Sequence, residues 1–242
     1  MKLSVVIPSF EGAACLAELL PELRSELIRL GIEWELIIVD DGSSDENWRR
    51  IEELCREYGE LTALGLAENQ GQQIATLTGL TRCRGEYIVT MDDDLEHRPS
   101  ELRLLVRALD TGYELVYGVR PVAYRSSFRR LGATLRNQLF RLLLRVPKGV
   151  RLSSFRGMRS ALVRRLLTGP CPFPYLSAMA LQYRPACSSI SLAPSPRRAG
   201  RQRPGRLILS LMRIAMTYST PRARRAKPFT VPAIGRRAGV FL

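Results

Sequence analysis

Two hydrophobic periods take turns along the first half of the chain. Short β-branched runs at residues 3–7 (LSVVI), 35–39 (ELIIV), 61–66 (LTALGL), 86–91 (EYIVTM) and 114–118 (ELVYG) predict five strands. Between them, residues 13–30, 46–58, 71–83 and 99–111 carry helical patterning, each long enough to cross from one strand to a parallel neighbour. Regular strand–helix alternation of this kind predicts an α/β fold: a doubly wound, mainly parallel sheet with helices on both faces. No internal repeat interrupts it.

After residue 118 the alternation stops. Residues 128–146 (FRRLGATLRNQLFRLLLRV) predict a basic amphipathic helix. At 100° per residue, Phe128, Leu131, Leu135, Leu139, Leu142 and Val146 share an arc of about 80°, with five arginines off it. Residues 207–218 (LILSLMRIAMTY) predict a second apolar helix, about 18 Å long and too short to span a bilayer. Residues 221–242, rich in Pro and Arg and without periodicity, predict a poorly ordered tail.

Charge sharpens this division. The 242 residues carry a net charge of +14, yet residues 1–100 hold 9 basic and 20 acidic side chains, and residues 101–242 hold 28 basic and 3 acidic. An acidic half followed by a basic half suits a protein with an acidic pocket and a separate anionic surface to meet. Nucleic acid is not the expected partner, because no recognition motif and no interleaved aromatics accompany the basic residues. The five cysteines are scattered without CxxC spacing and there is one histidine, so a structural zinc site is not expected. Reduced thiols in a cytosolic setting are. The N-terminal apolar run is too short for a signal peptide, and no segment reaches the length of a membrane span.

Candidate chemistry falls where strands end, which is where a parallel sheet binds ligands. Residues 8–11 follow the first strand, DDGSSD (40–45) the second, ENQG (68–71) the third and DDDLEH (92–97) the fourth. Adjacent carboxylates repel, and each is pushed towards protonation unless a cation is present. Asp92 and Asp94, with Glu96 following, offer hard oxygen ligands suited to Mg²⁺ or Mn²⁺ together with substrate phosphates. Asp40 is placed to accept from a base N–H or a ribose hydroxyl, with Asp45 capping the helix behind it. Gly71 is a point where backbone can approach a ligand. Arg120 is placed to meet a phosphate with its guanidinium fork. His97 has no neighbouring Ser or Cys to activate and reads as a structural neighbour of the acids.

Together, SVVIPSFEGAACL, LIIVDDGSSDENW, NQGQQIATLTGL, GEYIVTMDDDLEHRP and YGVR resemble the family 2 glycosyltransferases with the GT-A nucleotide-sugar fold. The likeness is strongest to the branch acting on polyprenyl phosphates. SSFRGMRSALV, FPYLSAMAL and PRRAGRQR extend it, so that it covers roughly residues 1–220. The resemblance implies a GT-A domain over 1–206, an interface helix over 207–220 and a basic tail over 221–242. It implies that Pro8, Glu11 and Asp40 hold the nucleotide of a UDP- or GDP-sugar, and that Asp92 and Asp94 form an Asp-x-Asp metal pair, with Glu96 beside the ion. It also assigns Arg120, Arg156 and Arg198 to phosphate groups of donor or acceptor. Ser177 departs from the family pattern, where an acid is expected.

The implied reaction is an inverting transfer of a sugar to a polyprenyl phosphate at the cytoplasmic face of a membrane, by a peripheral protein. A phosphate monoester, with a second pKa of about 6, is already anionic at neutral pH and needs positioning more than deprotonation. Residues 115–242 contain no Asp or Glu, which argues against the alternative of a soluble hydroxyl acceptor needing a base. A further alternative is a relative that binds nucleotide-sugar or membrane without turnover. The basic helices would rest on anionic headgroups.

Overall fold

A computed structural model of the chain describes residues 2–121, 138, 146–194 and 226–235. The five predicted strands form, as β1 (Lys2–Ser9), β2 (Glu33–Asp40), β3 (Leu61–Gly65), β4 (Tyr87–Thr90) and β5 (Leu115–Val119). The predicted helices form between them as α1 (Ala13–Arg29), α2 (Asp45–Glu57), α3 (Gln72–Leu80) and, after a single 3₁₀ turn at Pro99–Glu101, α4 (Leu102–Asp110). Among the described residues four more elements follow: β6 (Arg156–Arg159), α5 (Ser160–Thr168), α6 (Leu176–Leu181) and β7 (Cys187–Ser191). All strands join one sheet in the order β3-β2-β1-β4-β6-β5-β7.

The sheet is mainly parallel. β6 is the exception, lying antiparallel between β4 and β5 and so separating the continuous parallel half from the β5–β7 pair. Strand alternation sorts the core onto two faces. Leu3, Val5 and Ile7 of β1 meet the buried leucines of α1, Ile51 of α2 and Leu105 of α4. Val6, Ile37 and Val39 face the other way, onto Leu77 of α3, Leu162 of α5 and Met179 of α6.

Register places the strand ends in a row. Ser9 pairs with Asp40, Asp40 with Gly65, and Val6 with Thr90, so the four polar loops leave the sheet along one edge. α2 is capped by Ser44, whose hydroxyl accepts from the Asn47 N–H at 3.4 Å. This corrects the expectation that Asp45 is the cap: Asp45 is the first helical residue, where its charge favours the positive end of the helix.

Among the described residues no helix is long and apolar enough to cross a membrane. The helix expected over 128–146 lies outside the described residues except at positions 138 and 146, and the one over 207–218 lies wholly outside them. Within the stretch expected to be a tail, residues 226–235 make defined backbone contacts. Ile234 bridges Leu66, and the Cys171 N–H donates to the Lys227 carbonyl at 2.9 Å.

Candidate active site

The turn after β1 is built on Glu11, whose backbone takes a positive φ of 53°. Its N–H donates to the Ser43 hydroxyl at 2.8 Å. Its carboxylate accepts from the Ser44 N–H at 2.6 Å and from the Ser44 hydroxyl at 3.0 Å. Glu11 therefore joins the first loop to the second. Pro8 is a buried residue of β1, beyond the last β1–β4 pair. Phe10 is the exposed residue there, 54% accessible, and sequence reasoning passed over it inside an otherwise apolar run.

The two aspartates after β2 act on two different loops. Asp40 is fully buried, and its oxygens accept from the Ser43 N–H at 3.1 Å and the Asn47 amide at 3.4 Å. Those bonds make it a support of its own loop. Asp41 reaches across to the third loop, accepting from the Gln70 and Gly71 N–H groups, each at 2.8 Å. Burial raises its pKa, and those two N–H groups oppose the rise. Gly71 has a φ of 93° with open space around it, so backbone conformation accounts for glycine there.

The acids after β4 are held in three different ways. Asp92 is braced at both oxygens, by the Gln72 amide at 2.5 Å and the Ser154 hydroxyl at 2.5 Å. Its pKa is raised, first by burial and then by Asp94 and Glu96, against the Ser154 bond and the Arg156 charge. Asp93 accepts from the Ser9 hydroxyl at 2.6 Å, and burial with two flanking aspartates pushes it up to about 6. Asp94 is exposed, its carboxylate accepting the Glu96 N–H at 3.0 Å around Leu95, which has a φ of 62°. Among the described residues, no three His, Cys, Asp or Glu side chains converge as a metal cage, so Asp92, Asp94 and Glu96 are not gathered as a ready-made triad.

His97 is buried and stacked on Phe155, ring centroids 4.6 Å apart. Burial, with the Arg120 charge adding to it, depresses its pKa to about 4 and keeps the ring neutral. It is a packing residue. Arg120 is occupied as well: Nη2 donates to Glu101 at 2.6 Å and Nη1 to the Ala193 carbonyl. Arg120, expected to meet a phosphate with its guanidinium fork, is engaged here in a partly buried ion pair with Glu101. Arg156 is buried at the start of β6, donating from Nε to the Ser154 carbonyl at 3.2 Å and from Nη1 to the Ser177 hydroxyl at 2.8 Å. Its guanidinium sits over the Tyr117 ring. Arg198 lies outside the described residues.

The family comparison covers this sheet edge. The model of glycosyl transferase family 2 matches residues 4–167, which contain the four polar loops at the ends of β1 to β4. The chain belongs to glycosyl transferase family 2. An undecaprenyl-phosphate 4-deoxy-4-formamido-L-arabinose transferase of Pseudomonas fluorescens (strain SBW25) is 34% identical over 165 residues, covering 68% of this chain and 47% of that protein. The corresponding protein of Enterobacter sp. (strain 638) is 37% identical over 139 residues, 57% of this chain and 42% of its own. The chain thus spans about half the length of the curated relatives it matches.

The fold is shared with glucosyl-3-phosphoglycerate synthase from Mycobacterium tuberculosis, solved with Mn²⁺, UDP and phosphoglyceric acid. The TM-score is 0.66 at 21% identity, over 92% of this chain and 78% of that one. Within the family 2 frame, sequence reasoning located the four loops. It gave no supporting role to Gln72 of the third loop or to Ser154 from the second half, and it noted Ser177 only as a departure from the family pattern. All three fall inside segments that carried the resemblance, NQGQQ, SSFRG and FPYLSA.

Proposed function

We propose that this family 2 chain transfers a sugar, with inversion, from a nucleotide-sugar to a polyprenyl phosphate at the cytoplasmic face of a membrane. The observation that carries the reading is the asymmetry around Asp92. On one side lie the carboxylates of the DDD turn. On the other lie Ser154, Arg156 and Ser177, in a stretch of chain without any acid. The three acids between residues 101 and 114 are engaged elsewhere: Glu101 with Arg120, Asp110 with the Tyr87 hydroxyl at 2.7 Å, and Glu114 with the Ala186 N–H at 3.1 Å. A site with that distribution lacks a base on the acceptor side and suits an acceptor that arrives already anionic.

The relatives named for undecaprenyl-phosphate transfer support this acceptor, and the mycobacterial synthase solved with Mn²⁺ and UDP supports a divalent ion with a nucleotide. Asp92 and Asp94 fit Mg²⁺ or Mn²⁺. They are hard oxygen donors, two in number, leaving further positions for diphosphate and water. Such an ion, when bound, offsets the charge that develops on a departing nucleoside diphosphate. Gln72 and Ser154 orient Asp92 for that role, Phe10 offers a ring on which a nucleobase stacks, and the Arg156 charge lies on the side from which an anionic acceptor approaches.

The test is incubation with UDP- and GDP-sugars, Mg²⁺ or Mn²⁺ and polyprenyl phosphate in detergent, beside Asp94→Ala. Glycolipid that requires both the ion and Asp94 is the expected result. Product formed equally well in chelator, or on a free hydroxyl acceptor alone, overturns the reading.

A further inference from the structure

Residues 227–235 (KPFTVPAIG) take no part in the site described above, yet they touch loops on both of its sides. At one end the Cys171 N–H, between α5 and α6, donates to the Lys227 carbonyl at 2.9 Å. At the other, the Ala67 N–H donates to the Ala233 carbonyl at 3.3 Å and the Gly235 N–H to the Gly65 carbonyl at 3.2 Å. Between these anchors Phe229 packs, half-buried, against the core on the α3, α5 and α6 side of the sheet. Gly235 lies close on Ala67: a Cβ there would come within 3.1 Å of the Ala67 Cα.

The anchored loops lead straight to the supports of the acids. Residues 65–67 run into the loop whose Gln70 and Gly71 N–H groups close on Asp41, and then to Gln72, which braces Asp92. Residues 171–175 run into α6, whose Leu176 N–H donates to the Gln73 side chain at 3.1 Å and whose Ser177 receives Arg156. A loop ordered only when ligand arrives subtracts that ordering entropy from the affinity, and a loop already tied does not.

We infer that residues 227–235 are a positioning strap. They hold the 65–72 loop and the 171–177 turn at one spacing, so that the nucleotide meets a preformed pocket. Phe229 and Gly235 are its positioning residues. The nucleotide part of the inference rests on the donor reading proposed above, and the loop-ordering part does not.

The test uses the whole chain with Gly235→Pro, which removes the N–H that Gly65 accepts, and with Phe229→Ala beside Phe229→Leu. In hydrogen-exchange mass spectrometry, peptides from 65–72 and 171–176 are expected to exchange about tenfold faster in Gly235→Pro and Phe229→Ala, with α1 unchanged and Phe229→Leu near wild type. Titration with UDP and GDP in Mn²⁺ is expected to show the bound nucleotide weakened about five- to tenfold in the same two variants. Faster exchange confined to 226–235 overturns the inference. So does acceleration that includes α1, which would mark a general stability role. Nucleotide affinity unchanged in both variants, with wild type binding, overturns it too. If wild type binds neither nucleotide, the donor reading fails, and the exchange pattern by itself still decides for or against the strap.

Discussion

Ser154 ties Asp92 to the second half of the chain: its hydroxyl donates to Asp92 Oδ2 at 2.5 Å. The Ser154 carbonyl in turn accepts the Thr90 hydroxyl at 2.7 Å and Arg156 Nε at 3.2 Å. The serine's backbone is thus held from both neighbouring strands, which fixes the point from which its hydroxyl reaches the carboxylate. Ser154→Ala leaves Asp92 with only the Gln72 brace. Removing a group that orients a metal ligand typically costs about 10–100-fold in metal affinity or activity, and a loss in that range is expected here. Mn²⁺ titration followed by electron paramagnetic resonance measures it, and an unchanged affinity would remove Ser154 from the site.

Asp93 gives the metal-free protein a pH dependence of known sign. Its carboxyl titrates near 3.8 when unperturbed and is raised to about 6 in the fold, chiefly by burial. Between those values the folded state keeps a proton that the unfolded state has released, so this group's contribution falls as pH rises from about 4 to 6 and is constant above. Asp93→Asn keeps an acceptor for the Ser9 hydroxyl and removes the charge. It is expected to stabilise the protein above pH 6 by on the order of 1–2 kcal/mol after discounting for partial exposure, and to do nothing below pH 4. Urea unfolding in chelator at pH 4 and pH 7.5 checks the difference.

His97 works in the opposite direction over an overlapping window. Its pKa drops from 6.5 to about 4 through burial against Phe155 and the Arg120 charge. As pH falls through 6.5 towards 4 the unfolded chain takes up a proton that the folded one refuses, so stability declines on acidification. His97→Phe keeps a ring to stack on Phe155 and is expected to flatten that acid limb while leaving stability at pH 8 within about 1 kcal/mol. Thermal melts of wild type and variant across pH 4 to 8 separate this term from that of Asp93. A variant that loses stability in parallel with wild type below pH 6.5 would assign the acid limb to another group.

The five parallel-type strands were legible because β-branched residues recur in them, and the loops at their ends were legible because polar residues cluster where apolar runs stop. β6 and β7 were not. RGMR carries two arginines and CSSIS three serines, and neither shows a hydrophobic period; their pairing comes from β4 and β5, which lie far away in sequence. The site shows the same limit. That acids gather after β4 is a local fact, but the Glu101 carboxylate beside Arg120 and the closure of Gln70 and Gly71 on Asp41 come from partners on other loops. Local chemistry named the acids. Partners from distant loops decided which of them stay open.

Gly42 offers a direct measure of how tightly the second and third loops are packed. It has a φ of +73°, and a Cβ added to it would lie 2.4 Å from the Glu68 backbone carbon and 2.6 Å from the Asn69 nitrogen. Gly112 also has a positive φ, +106°, but nothing lies within 4 Å of the added atom. Alanine at 112 therefore reports backbone strain alone, expected at about 1 kcal/mol. Alanine at 42 adds displacement of the backbone that carries Gln70 and Gly71 onto Asp41, and is expected to cost about 2–4 kcal/mol in all. Urea unfolding gives both values, and nucleotide titration should weaken for Gly42→Ala alone. Equal losses at the two positions would show that the 68–71 loop yields freely, and that the clamp on Asp41 does not depend on its neighbour.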